Sequence, residues 1–240
     1  MIDSRAMTWL DLWERMVSAA PSQRRRELIA STGASEVGAL EIGSANRRLL
    51  QLHRSLFGSR IACLAECPKC DSELELDIDS DSLLVREPSG APQPLLLKVG
   101  EWEVSFRLPT EGDIEAARAE NDLLAAESTL LHRCVESCRQ CEEITTVSLA
   151  PPEVRTLLSA RMEESDPLAI IDFELCCASC GHVWSSMLEP DVFLWTQLNA
   201  WANRMVRHVH TLATAYGWSE LDIVRMSPMK RQLYLALVAG

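Results

Sequence analysis

Nine cysteines are spaced in a way that points to metal chemistry. Cys67-Pro-Lys-Cys70 and Cys177-Ala-Ser-Cys180 are both C-x2-C turns, and alternating segments flank each of them. Arg60 to Glu66 and Glu73 to Ile78 bracket the first, while the run beginning at Phe173 and the stretch from Val183 to Leu188 bracket the second. Such alternation predicts a strand, a cysteine turn and a second strand in each case. Two thiolates of one tight turn can reach a single ion at about 2.3 Å from each sulfur, and the turn's backbone amides stabilise the anionic sulfurs. Cys67, Cys70, Cys177 and Cys180 would complete a tetrahedral four-thiolate zinc site in a ribbon, with the 106 residues between Cys70 and Cys177 inserted between its halves. Four protein ligands leave no open position, so the expected Zn2+ is structural and not catalytic.

Cys138-Arg-Gln-Cys141 follows a helical stretch without evident flanking strands and is expected to hold free thiols or an accessory site, displacement of one of the two turns being the alternative. Cys176 competes with Cys177, but only through a C-x3-C spacing unlike that of the first turn. Cys63 and Cys134 read as small buried hydrophobes. His182 reads as an exposed strand residue, with a substitute-ligand role as the other possibility. A nucleophile built from Cys134 and His132 is disfavoured, because an i, i+2 pair on a helix points to different faces. The sequence contains no Gly-rich phosphate loop, no G-x-S-x-G and no H-E-x-x-H, so no enzyme class is expected and no catalytic residue is assigned.

The elements that must position the turns are mostly helical. Trp9, Leu12, Trp13, Met16 and Val17 recur at helical spacing from Thr8 to Ala20, with Pro21 expected as a stop. Arg24, Arg25 and Arg26 read as a solvated helix face, or else as a contact. A helix from Ser44 to Phe57 is expected to end at Gly58, with His53 exposed on it. Residues 79 to 94 read as a loop, and Leu95 to Leu108 as a hairpin around Gly100-Glu101. From Pro109 one long helix is expected to run to Val135, and another from Pro151-Pro152 to Met162. Asp191 is expected to cap a helix striped by Leu194, Leu198, Trp201, Met205, Val209 and Leu212, ended by Gly217. Ser219 with Asp222 suggests a further cap, and Ser227-Pro228 a last helix. Internal repeats are not evident. The fold class is therefore α+β: a zinc-ribbon-like β core with a long inserted hairpin and helices over 95–165, set in a domain spanning 59–189. An N-terminal helical region, 1–58, and a C-terminal helical tail, 190–240, flank it.

Charge narrows the function. The net charge is -12, and residues 59–183 alone carry 25 acidic against 10 basic side chains, while both ends are close to neutral. An anionic block repels phosphate backbones, so nucleic acid is not an expected partner, and a nucleic-acid-associated zinc ribbon is the second choice. No apolar window is long enough for a membrane span, and the start, Met1-Ile-Asp-Ser-Arg, lacks a secretory leader, so a cytoplasmic location is expected, with no small-molecule substrate. Thiols stay reduced there, which favours metal ligation over disulfides. In the tail, Trp195, Trp201, Trp218 and Tyr234 are the candidate partner-binding residues, because aromatics are enriched at interface centres.

Several stretches carry a resemblance to a known family. They are Leu49-Leu-Gln-Leu-His-Arg-Ser-Leu-Phe-Gly58 leading into Cys67-Pro-Lys-Cys70 and Leu74-Glu-Leu, Phe106-Arg-Leu-Pro-Thr110, and Cys177-Ala-Ser-Cys-Gly-His-Val-Trp184. Phe193-Leu-Trp195 and Tyr216-Gly-Trp-Ser219 complete the set. Over most of residues 44–240 the chain resembles T-even-type phage baseplate hub assembly proteins, found in contractile phage tails and phage-like contractile injection systems. The resemblance implies an adaptor or chaperone that holds a hub, spike or tape-measure protein during assembly and works through a helical surface, with incorporation into the phage or phage-like particle as the alternative to a purely cytoplasmic location.

Overall fold

A computed structural model describes residues 6–86 and 94–239. The first five residues, on which the leader argument turned, and most of the far end of the expected 79–94 loop lie outside them. The helix α1, Ala6–Met16, buries Trp9, Leu12 and Met16 as its periodicity predicts. Pro21 does not merely stop it: proline opens α2, Pro21–Ser31, where its fixed φ suits a first helical position and its missing N–H costs nothing. The next helix, α3, runs from Ile42 to Phe57 and ends as expected at Gly58, whose amide donates to the Arg54 carbonyl at 3.0 Å with φ at 96°.

Strands β1, Arg60–Glu66, and β2, Glu73–Asp79, pair antiparallel with Ile61 opposite Ile78 and Cys63 opposite Leu76. The expected loop then begins with a short helix, α4, Ser80–Leu84, capped by the Asp79 carboxylate. Strands β3, Leu95–Val99, and β4, Trp102–Phe106, form the expected hairpin around Gly100-Glu101. The long helix expected beyond Pro109 is two helices. One is α5, Glu111–Arg118, opened by a Thr110/Asp113 capping box; the other is α6, Leu123–Cys134. The break falls at Glu120-Asn-Asp122, where the Asp122 side chain accepts the Ala125 N–H at 2.8 Å and starts a new helix instead of continuing the old one.

From α6 the chain passes directly into β5, Val135–Gln140, and then β6, Glu143–Thr145. These join β3 and β4 in a four-stranded antiparallel meander ordered β3-β4-β5-β6. Cys138 and Cys141 therefore do have strands around them, contrary to expectation. Cys138 lies within β5 opposite Val104, and Cys141 lies in the turn, where it and Glu142 take positive φ. Only Cys138 is buried in β5, so the strand shows too little apolar alternation to be seen in sequence. The helix from Pro152, α7, Pro152–Ser165, packs Val154, Leu158 and Met162 into the meander's core with Phe106 and Leu131.

The second hairpin consists of β7, Asp172–Cys176, and β8, Val183–Met187. It leads into the 27-residue α8, Pro190–Tyr216, closed by Gly217 in a left-handed conformation. Two short helices finish the chain: α9, Glu220–Val224, capped by Ser219, and α10, Pro228–Ala239. The main helical core unites both ends of the sequence, for Leu194, Leu198, Ala202 and Met205 of α8 pack with Leu12, Met16, Leu28 and Leu49 of the first three helices. A third cluster, Leu50, Ile61, Leu83, Leu168 and Ile171, sits where the two hairpins meet α3.

The hairpins are structural repeats of each other, and the correspondence extends beyond the strand, turn and strand that the sequence predicts for each. Ile61 matches Ile171, both buried; Cys67 and Cys70 match Cys177 and Cys180; Ser80 and Pro190, both buried, open the helix that follows each hairpin. Few residues between these points are identical. A repeat carried by backbone pairing and burial thus leaves little trace in residue identity.

Candidate metal centre

Each hairpin ends in a turn built the same way. The amide of Cys67 donates to the Ser72 carbonyl at 3.0 Å and that of Asp71 to the Cys67 carbonyl at 2.9 Å. In the second turn Cys177 donates to His182, and Gly181 to Cys177, both at 2.9 Å. The residue after the second cysteine is left-handed in both, Asp71 at φ 57° and Gly181 at φ 70°. Glycine adopts that conformation freely, and aspartate is among the few other residues that tolerate it.

The two turns face each other and bring four sulfurs within 4.8 Å of one another. Cys67 Sγ lies 3.7 Å from Cys180 Sγ, and Cys70 Sγ lies 3.6 Å from Cys177 Sγ, so the first cysteine of one turn meets the second of the other. Sulfurs in a disulfide would be about 2 Å apart. Four sulfurs about 2.3 Å from one ion would be about 3.8 Å apart along a tetrahedron's edges, close to these spacings. The set could hold a metal ion, and its softness and geometry suit zinc or iron. Hydrogen bonds with the Ser72 side chain and backbone bring the Cys70 thiol down to about 6. The backbone amide of Cys180 leads the effects that lower Cys177. Cys67 and Cys177 are buried, while Cys70 is exposed, so the centre lies at the surface with one side covered.

The remaining candidates stand apart from it. Cys176 is exposed and outside the cluster. His182 lies flat against Trp184, 6.1 Å between ring centres. Burial pushes the Cys134 thiol up to about 11, and His132 Nε2 lies 2.6 Å from Ser148 Oγ. Cys138 is packed into the meander's core and Cys141 is exposed. Of the tail aromatics, Trp195 and Trp201 are half-buried against the helical core, Trp195 beneath the Arg24 guanidinium at 4.6 Å. Trp218 stacks on Tyr216 at 4.6 Å and meets Tyr234 edge-on at 4.7 Å, which fastens α10 to the end of α8.

Two polar centres escaped the sequence reading. Of the arginine run, Arg26 lies on a solvated face as expected, whereas Arg24 and Arg25 are partly buried. Arg25 Nε donates to Glu111 Oε2 at 2.9 Å, Nη1 to Asp191 Oδ1 at 2.8 Å and Nη2 to Asn46 Oδ1 at 2.9 Å, tying α2 to α5, α8 and α3. Asp191 therefore serves an ion pair in the first turn of α8, and the residue at that helix's cap is Glu189. Asp113 accepts from Arg107 at 2.6 Å and from Arg133 at 2.7 Å as well as from the Thr110 amide. Burial alone would raise its pKa, but these donors prevail and hold the carboxyl well below the usual range. The only sequence signal for either centre was the presence of charges beside helix starts.

Fold and site together define an α+β protein with a paired-turn thiolate centre between repeated hairpins. The family described as T4 bacteriophage base plate protein matches residues 26–189, from within α2 through both cysteine turns to the edge of α8. That is well over half of the sequence, and the chain belongs to this family of T4-type phage baseplate proteins. No curated protein and no solved structure matches it significantly.

Proposed function

We propose that the protein is a non-enzymatic assembly factor of the baseplate hub, an adaptor or chaperone for hub, spike or tape-measure proteins of a contractile phage tail or phage-like injection system. Membership of the baseplate family carries this reading. A baseplate protein works through contacts with other baseplate proteins, and the helical surface around Trp195, Trp201, Trp218 and Tyr234 offers partly exposed aromatics for them. Assembly takes place in the cytoplasm, where the thiols stay reduced. No described helix is long and apolar enough to cross a membrane.

Zinc at Cys67, Cys70, Cys177 and Cys180 has a structural role in this reading: it clamps the two hairpins, and with four protein ligands it presents no site to substrate. Affinity capture from cells assembling particles tests the assembly role; hub, spike or tape-measure protein should co-purify, and their absence would refute it. Elemental analysis tests the metal. Zinc should be present in the native chain, lost in Cys67→Ser and Cys177→Ser, and retained in Cys138→Ser; the reverse pattern would move the site to the third pair.

A further inference from the structure

Between the two hairpins lies an open groove of about 900 Å³. Cys63, Ala65 and Leu76 line it from the first hairpin, Phe173 and Leu188 from the second, and Phe193 from the start of α8. Leu64, 64% exposed, and Met187, 58% exposed, also border it. Strand side chains alternate between faces, yet four consecutive residues of β1, Ala62 to Ala65, line the groove, so the strand's edge borders it as well as a face. Among the described strands β1 pairs only with β2, and β8 only with β7. Each therefore keeps one row of backbone N–H and C=O groups able to pair with a further strand. The rim is acidic. Arg60 engages Asp77 at 2.7 Å, whereas Glu75 and Glu189 have no cation partner among the described residues.

We propose that this groove receives an extended segment of a partner protein, apolar at alternate positions and basic between them, which adds as a strand to β1. The backbone edge supplies main-chain hydrogen bonds, the apolar walls take alternate side chains, and the glutamates select the charge. A second copy of the chain would bring two acidic rims together, within a protein of net charge -12. The proposal rests on the assembly reading in taking the partner to be a protein, and it adds a surface distinct from the aromatic one.

The test uses the full chain, purified with its metal, and fluorescent peptides matched in length to the seven residues of β1. A peptide alternating valine with lysine should bind, and one alternating valine with glutamate should bind about tenfold more weakly or worse. N-methylation of alternate amides should abolish binding of the lysine peptide, and Glu75→Lys combined with Glu189→Lys should reverse the charge preference. Both substituted positions are exposed, and circular dichroism checks that the fold survives. No binding by either peptide, equal binding by both, or indifference to the double substitution would overturn the proposal. Undiminished binding of the N-methylated peptide would replace strand addition with another mode, and a dimer in sedimentation that Leu64→Asp dissolves would assign the groove to a second copy. Failure here with hub, spike or tape-measure protein still co-purifying would leave the assembly reading intact; failure of that reading would appear as no such protein co-purifying with the unaltered chain.

Discussion

Among the described residues, Gly43 and Asp166 are fitted to each other more closely than any other glycine and its neighbour. The Gly43 amide donates to Asp166 Oδ2 at 2.8 Å, and a Cβ on Gly43 would lie 1.6 Å from Asp166 Oδ1. Gly43→Ala must therefore displace a buried carboxylate, and we expect a loss of about 2 kcal/mol, or roughly 4–8 °C in melting temperature, read by thermal unfolding. His53 gives a prediction in pH. It is buried between Phe57 and Phe193, with Gln197 Oε1 3.3 Å from its Nε2, and burial lowers its pKa. The unfolded chain takes up this proton near pH 6.5, the folded chain only at lower pH. Stability from His53 is thus complete above about pH 6.5 and is lost as pH falls through the folded value. Denaturant midpoints should decline over that window and decline less in His53→Gln; equal slopes would remove His53 as the cause. None of this was legible in sequence, where His53 read as exposed. Its neighbours Phe193 and Gln197 come from α8, and helical periodicity describes only a residue's own helix.

At the scale of elements, Arg25 joins four helices through one guanidinium. Glu111 and Asn46 are buried, and the Asp191 side chain is only 16% exposed. Arg25→Met would leave two carboxylates without their cation, and we expect about 3 kcal/mol of destabilisation in chemical unfolding. Arg25→Lys should recover little of it, because an ammonium cannot serve three partners in the guanidinium's planar geometry. Full recovery by lysine would show that charge alone matters. Elements were legible wherever local signals agreed: Gly58 and Gly217 end their helices, Gly100-Glu101 turns its hairpin, and alternation marks both cysteine-bearing strand pairs. They were misread where a side chain redirected the backbone. Asp122 divided a long apolar stripe into α5 and α6, and β5 was hidden because both of its faces are largely solvated, with Cys138 alone buried.

Over the whole molecule, the four-cysteine cluster was the most legible feature and the repeat around it the least. A C-x2-C turn is a local pattern, whereas the likeness of the two hairpins resides in pairing and burial. The proposed zinc fixes only the hairpins, since the meander has its own core of Val104, Phe106, Leu131 and Leu158. Chelation should therefore raise amide hydrogen exchange in β1, β2, β7 and β8 while β3 to β5 keep their protection; uniform loss would show one cooperative unit. The separation of the two cysteine turns also bears on synthesis. At about 5–20 residues per second, Cys67 and Cys70 leave the ribosome roughly 5–20 s before Cys177 and Cys180. The first pair spends that interval as a half-site, while the intervening meander can already fold. The N-terminal helices wait longer still, because the α8 residues that complete their core are translated after both pairs. The nascent chain is thus finished from its middle outward, and a thiol-protecting or metal-delivering factor would have its opportunity in that pause.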